Sequence, residues 1–286
     1  MATSSKAMRY QGGRVDAGTI GAYGCLVLGT AVMFLPVLWI VLSSFKDLNE
    51  IYRIPPTFLP EHWITSNYSG ALERFPFLRY LTNSVVVTVV ATALTLAINS
   101  MAAFALSKYR FPGRDAIFLV ILGTLMIPLQ VIMLPVYLVI AKLGMANSLL
   151  GIIIPPSATP TGVFLLRQYM LTIPDELIDA ARIDGAGHLR YLFAIVVPLS
   201  KPAIVTTALL NFIWAWDNFK WPLLVTRDSN MRVLAVGLQQ FLQGEGGTKV
   251  QLMMAFSAMV VVPIVIFYFF TQKYFTEGVI TTGIKG

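Results

Sequence analysis

Long apolar stretches separated by short polar islands run the length of this chain, and the spacing of the charges predicts its elements. Asp16 and Lys46 enclose 29 uncharged residues, Arg79 and Lys108 enclose 28, Asp115 and Lys142 enclose 26, Lys142 and Arg167 enclose 24, and Lys249 and Lys273 enclose 23. A membrane-spanning helix needs about 20 predominantly apolar residues, so each gap predicts one crossing. Lys201 and Asp217 enclose only 15. A further crossing is expected there, running from Pro202 through Asp217 and Lys220 into WPLLV. The chain therefore reads as an all-α integral membrane protein of six transmembrane helices. The first apolar run exceeds the 7–15 residues of a signal-peptide core and shows no A-x-A cleavage site, so it is read as a retained anchor helix.

One island breaks the pattern. The stretch LTIPDELIDAARIDGAG, from Leu171 to Gly187, is too polar to span. It predicts a short amphipathic helix with Thr172 as N-cap and Asp175 three residues on, an acidic variant of the capping box. Asp175, Glu176 and Asp179 favour its positive end. Leu177, Ile178 and Ala181 form an apolar stripe. Gly185 is expected to close the helix in the left-handed conformation. A second helix is expected from about His188 to Pro198.

Composition agrees with the membrane reading. The chain of 286 residues is 56% hydrophobic and 12% charged, with mean hydropathy +0.72; a soluble domain carries about 25% charged residues. The net charge of +7 is spread singly or in small groups between apolar runs. That matches the positive-inside bias and excludes a nucleic-acid role, since no basic patch or recognition motif is present. With six spans both termini share one side. If that side is cytoplasmic, it holds twelve of the 21 Lys and Arg, including Lys6, Arg9 and Arg14, the dense cluster SKYRFPGR, and Lys273 and Lys285. The larger outer segments are then Lys46–Arg79 and roughly Thr226–Lys249. The organisation expected is a cytoplasmic tail over 1–18, a six-helix domain over 19–272 with a polar cytoplasmic loop over 167–201, and a cytoplasmic tail over 273–286.

Several chemistries drop out. Cys25 is the only cysteine, so neither an internal disulfide nor a cysteine metal site can form. His62 and His188 stand alone, without metal-ligand neighbours. The glycine cluster GEGGTK lacks the GxxxxGK[ST] spacing of a phosphate loop and reads as an outer turn. No ATP-binding motif appears anywhere.

The polar island carries a more specific pattern. Asp179-Ala180-Ala181, three residues, Gly185, nine residues, Ile195, one residue, then Val197-Pro198 resembles the EAA signature of bacterial ABC importer permeases, E-A-A-x3-G-x9-I-x-L-P. Asp179 stands for Glu and Val197 for Leu. SKYRFPGR, FLLRQYMLTIPDELIDAARIDGA, WAWDNFKWPLL and the ending GVITTGIKG are similar to the carbohydrate-uptake branch, and to its maltose-type second permease subunit. The likeness covers nearly the whole chain and implies the type I ABC importer permease fold. It implies that the island is a coupling helix seated in a groove of a cytoplasmic ATPase, with Asp179, Ala180, Ala181, Asp184, Gly185 and Pro198 as the coupling residues. It also implies that the C-terminal tail touches the ATPase pair, at Gly278, Thr281 and Gly286. The implied partners are a homologous second permease, two copies of an ATP-binding subunit and an extracytoplasmic solute-binding protein. ATP and Mg belong to the ATPase, and this chain, not itself an enzyme, binds no cofactor or metal. The implied location is a bacterial cytoplasmic (inner) membrane, and the implied cargo an oligosaccharide or related carbohydrate, with glycerol-3-phosphate or a sugar alcohol as alternatives.

Polar residues inside apolar spans are costly and frequently functional. Asn99, Ser100, Gln130, Ser157, Thr159, Thr161 and Lys220 fit that description. Asn211, Trp214, Asp217 and Asn218 combine amides, an acid and an aromatic in the fifth span and are the candidate substrate path. The same residues would also serve as interhelical glue or interfacial anchors. A stand-alone secondary transporter would need an ion relay, for which Asp217 beside Lys220 is the one candidate. A membrane enzyme would need clustered catalytic side chains, and none is evident.

Overall fold

The structure is a computed structural model that describes residues 17–242 and 249–283, with side chains placed for 18–242 and 249–269. Among the described residues it is all helical. Three helices are long and apolar enough to cross a membrane alone: Gly18–Ser43, Phe77–Lys108 and Val250–Phe269; counting each bent helix pair as one crossing raises the number to six. These are spans 1, 2 and 6; the bent pairs supply spans 3 to 5, the last of them by Lys201–Asp217, which meets the preceding His188–Leu199 segment at 85°.

The bends have local causes. In span 3, Arg114–Met126 and Leu129–Lys142 meet at 105°. The apolar count treated this span as one run, but Pro128 follows Ile127, which is held in an extended conformation (φ −89°, ψ 115°). A residue before proline is driven out of the helical region, so composition permits a crossing that backbone chemistry folds over. Span 4 breaks at PPSATP, where Pro155, Pro156 and Pro160 each oppose a continuous helix: Leu149–Ser157 and Pro160–Leu171 meet at 45°. Span 5 does not run unbroken into WPLLV. Its helix Lys201–Asp217 ends at Asn218 (ψ 113°), whose Oδ1 accepts from Trp221 N at 3.3 Å, and a new helix covers Lys220–Val225. Span 6 continues as helix through Gly283, past the tail boundary expected at 273.

Spans 2, 4 and 5 form the packed centre. Span 2 has 32 residues, about 48 Å at the usual rise, so it outreaches the roughly 30 Å hydrocarbon core and its last turn meets the polar island. The span 4 break is fastened to span 2. Asn99, fully buried, donates from Nδ2 to Thr159 Oγ1 at 2.7 Å and accepts from Thr159 N at 3.2 Å. Its oxygen thus serves a backbone N–H at the break and its nitrogen the neighbouring hydroxyl, and a broken helix at membrane depth needs such partners. Span 1 stands apart: none of its apolar window is buried against the rest of the chain.

Candidate functional site

The polar island folds as two short helices at the end of the bundle where span 2 stops, here called the near end. The first covers Glu176–Ile183. Thr172 does not cap it. Thr172 ends the preceding helix Pro160–Leu171, with its Oγ1 on Tyr169 O at 2.8 Å. Pro174 separates it from the next turn, and Asp175 makes no side-chain cap bond. Asp175 is held by Lys108 from the end of span 2, Nζ to Oδ1 at 2.7 Å. That hydrogen bond draws its pKa below the usual carboxylate range. A contact 67 residues away in sequence outcompetes the local cap.

The helix ends as Gly185 suggested. Gly185 adopts φ +75°; its N–H bonds Arg182 O at 3.0 Å and Ala186 N–H bonds Ala181 O at 2.9 Å, the paired bonds of a Schellman close. The second helix starts at His188 and passes through a wide π turn, Leu192–Val196, before Pro198, whose ring nitrogen has no hydrogen to donate. Gly185→Ala is expected to strain this close by about 1–2 kcal/mol. A melting temperature lowered by a few degrees, with transport reduced more than expression, would be the measured sign.

The inner face is locked to the spans. Ile178 and Ala181 are buried in one cluster with Ala103 and Phe104 of span 2, Leu166 and Met170 of span 4, and Tyr191 and Leu192. Tyr109, just beyond span 2, shares its hydroxyl with Tyr191 at 2.8 Å and with His188 Nδ1. Burial, then the Tyr191 hydrogen bond, pushes its pKa up to about 12, so the phenol keeps its proton at physiological pH. Arg167, counted as loop in the sequence, is buried inside the Pro160–Leu171 helix. It donates to Leu106 O at 3.1 Å, pairs with Asp115 at 3.0 Å and lies 3.9 Å over the Phe118 ring. Helix, span 2 and span 4 are thus packed and hydrogen-bonded together.

The outer face is free. Asp179 and Ala180 are exposed, and among the described residues the ion pair of Asp179 is with Arg182 on its own helix, at 3.6 Å. Ala181 points inward, while Asp184, Gly185 and Pro198 are exposed. A groove of about 320 Å³ lies between the two helices, with Ala180, Ala186 and Ala194 in its lining and Asp184 and Arg190 at its sides. Ile183, 87% exposed, and Leu189, 63% exposed, stand as apolar knobs on the same segment. Sequence reasoning missed both. The available signal was Ile183 lying five residues after Ile178, off the buried stripe.

The substrate-path candidates are less united. Asn211, buried, donates to Thr92 Oγ1 at 3.2 Å, and Asn218 closes the span 5 break. Trp214 and Asp217 are exposed, and Asp217 forms no ion pair with Lys220 among the described residues. Ser157 bonds Ile153 O; Thr161 and Gln130 are exposed. The C-terminal positions Gly278 and Thr281 fall on the last helix beyond the placed side chains, and Gly286 lies outside the described residues, as do the tail residues Lys6, Arg9 and Arg14. Among the described residues no group of three His, Cys, Asp or Glu converges as a metal site would need.

Three kinds of similarity accompany this geometry. Residues 95–281 match the family model described as binding-protein-dependent transport system inner membrane component. The chain is 37% identical to the arabinooligosaccharides transport system permease protein of Halalkalibacterium halodurans, covering 89% of this chain and 92% of that one. It is 35% identical to the sn-glycerol-3-phosphate transport system permease protein of Brucella abortus, covering 90% and 94%. Among solved structures it resembles a chain of a bacterial ABC transporter involved in the import of the acidic polysaccharide alginate, with TM-score 0.75 and 26% identity over 90% of this chain and 96% of that one.

Proposed function

The chain belongs to the family of binding-protein-dependent transport system inner membrane components, and from that premise we propose how it works: as the permease subunit of an ABC importer for an oligosaccharide or related carbohydrate. A second permease would complete the pathway, two ATPase subunits would bind ATP and Mg, and a solute-binding protein would deliver cargo. The near end is cytoplasmic in this reading, with both termini on that side. The observation that carries it is the Glu176–Ile183 helix, sealed to spans 2 and 4 on one face and bare on the other.

That asymmetry supplies a mechanism. An ATPase lobe that grips Asp179, Ala180, Asp184 and the exposed Ile183 moves a rigid unit. Lys108 and the Phe104–Tyr191 cluster carry the displacement into spans 2 and 4. Closing of the ATPase pair on ATP then rocks the permease between its two facings. Gly278, Thr281 and Gly286 would add a tail contact to the same ATPase pair. Asn211, Trp214, Asp217 and Asn218 remain the proposed path, with Asn211 and Trp214 one turn apart on the span 5 helix and Asn218 at its end. Glycerol-3-phosphate is the second reading, favoured by the matching identity and coverage of the Brucella abortus relative.

Purification from the native membrane in mild detergent, with mass spectrometry of the co-eluting chains, tests the assembly. An ATPase, a second permease and a binding protein are expected. A chain that purifies alone and transports without ATP would overturn the reading and return attention to Asp217 as part of an ion path.

A further inference from the structure

The far end of the bundle, opposite the Glu176–Ile183 helix, carries an unusual concentration of arginine. The segment after span 5, from Thr226 to Leu234, is pinned to span 2 and to the turn between spans 3 and 4. Asn147, in the left-handed region at φ +56°, accepts from Arg227 N and Asp228 N on one oxygen, both at 2.9 Å. Asn83 of span 2 donates to Asn230 O and Arg232 O, both at 2.8 Å. Ser84 Oγ accepts from Leu234 N at 2.8 Å. The backbone is thus a fixed platform rather than a loose turn.

Three guanidinium groups are displayed on it. Arg232 Nη2 reaches Arg227 O at 3.5 Å, Arg227 Nη2 reaches Tyr137 Oη at 3.3 Å, and Arg79 Nε reaches Asn230 O at 3.3 Å. Each contact uses a single nitrogen of a group with five N–H donors, and Arg232 Nε is buried without an acceptor. None of the three is in an ion pair among the described residues. The one acid within the segment, Asp228, caps Asn230 N at 2.9 Å. Positive charge in a short non-cytoplasmic segment also opposes the topogenic bias, so membrane insertion gives no reason for it.

We propose that Arg79, Arg227 and Arg232 form an electrostatic docking platform for an acidic face of the solute-binding protein, steering its association and fixing its register. The inference rests on the importer reading above, which puts this end outside the cell and gives the binding protein as visitor. Free guanidinium forks are suited to bidentate capture of carboxylates, and complementary charge acts mainly on encounter rate and orientation. Anionic cargo fits less well, because the proposed path contains the exposed acid Asp217, which is in no ion pair among the described residues.

The test uses the complete transporter in phosphatidylcholine nanodiscs and the binding protein that co-purifies with it. The dissociation constant is measured by biolayer interferometry at low and high NaCl. Wild type is expected to weaken about tenfold between 50 and 300 mM NaCl, on the order of the screening of several exposed pairs. Arg227→Gln should weaken low-salt binding a few-fold, Arg227→Glu with Arg232→Glu by about tenfold or more with a flattened salt dependence, and the double lysine variant much less. The wild-type titration and the single, exposed Arg227→Gln change do not depend on the double variant folding. Salt-indifferent wild-type association, or charge reversal without effect on docking, overturns the platform alone. So does unchanged docking combined with a raised KM for cargo, which would assign the arginines to the cargo. No association with any binding protein overturns both the platform and the importer reading.

Discussion

Gly151→Ala is expected to destabilise the protein sharply, whereas Gly29→Ala leaves it unchanged. A Cβ at Gly151 would stand 2.2 Å from the backbone oxygen of Met145 and 3.1 Å from Val225 Cγ1. The carbonyl is not free to turn away, because it accepts from Ser148 Oγ at 2.8 Å, and Ser148 in turn caps Gly151 N at 3.2 Å. On the other side, Gly151 O accepts from the buried Trp221 indole at 3.2 Å. One methyl group therefore pries apart the start of span 4, the end of span 3 and the short helix after span 5. Overpacking costs about 1–3 kcal/mol, and losing the indole bond adds about 1 kcal/mol. A melting temperature lower by roughly 5 °C or more is expected. Gly29 has nothing within 4 Å, so alanine there gains only helix propensity. Equal shifts for the two variants, read by thermal unfolding of detergent-purified protein, would show that the far-end contact at Gly151 is not tight.

What the sequence revealed and concealed divides along a physical line. Apolar run length located the spans because burial in lipid demands length and composition, both local properties. Gly185 was legible because a helix close needs a residue tolerant of positive φ, and the PPSATP break because proline acts on its immediate neighbours. Pro128 acts by the same rule, yet its bend was not read, since a single proline within a long apolar run does not change the hydropathy count. The break at Asn218 has Pro222 four residues on, whose ring would clash with a helical carbonyl at Asn218, yet the apolar count carried the span straight through it. Long-range competition was invisible. Nothing near Asp175 says that Lys108 will take it, nor that Thr172 will finish one helix rather than start the next. Asn99 was singled out as an intramembrane polar residue, and only the fold shows that it fastens Thr159. The coupling residues were read from their pattern, but which alanine faces outward depended on helix phase: Ala180 is bare and Ala181 packs against Phe104 and Met170 in the core cluster.

Asp179→Lys is expected to separate transport from stability. Its side chain is 67% exposed and, among the described residues, its ion pair is with Arg182, one turn along the same short helix. Exposed pairs of this kind contribute little, so the variant should insert normally and melt within about 2 °C of wild type. If the helix sits in an ATPase groove, the same change puts a cation where an acid made its contact, beside Arg182 and in the recess that Lys108 and Arg110 also line. Like charge at a docked surface is costly even where the isolated chain tolerates it. Uptake in reconstituted vesicles should fall at least about tenfold, equivalent to roughly 1.4 kcal/mol of coupling free energy, and ATP hydrolysis should no longer respond to the loaded binding protein. Asp179→Glu restores the residue of the EAA pattern, one methylene longer, and should transport at near wild-type rate. Asp179→Ala, which removes the contact without reversing it, should fall between. The order Glu, Ala, Lys is what an interfacial carboxylate predicts. A purely structural role would instead track melting temperature, and full transport by the lysine variant would remove Asp179 from the coupling surface and leave Ala180 and Ile183 to carry it.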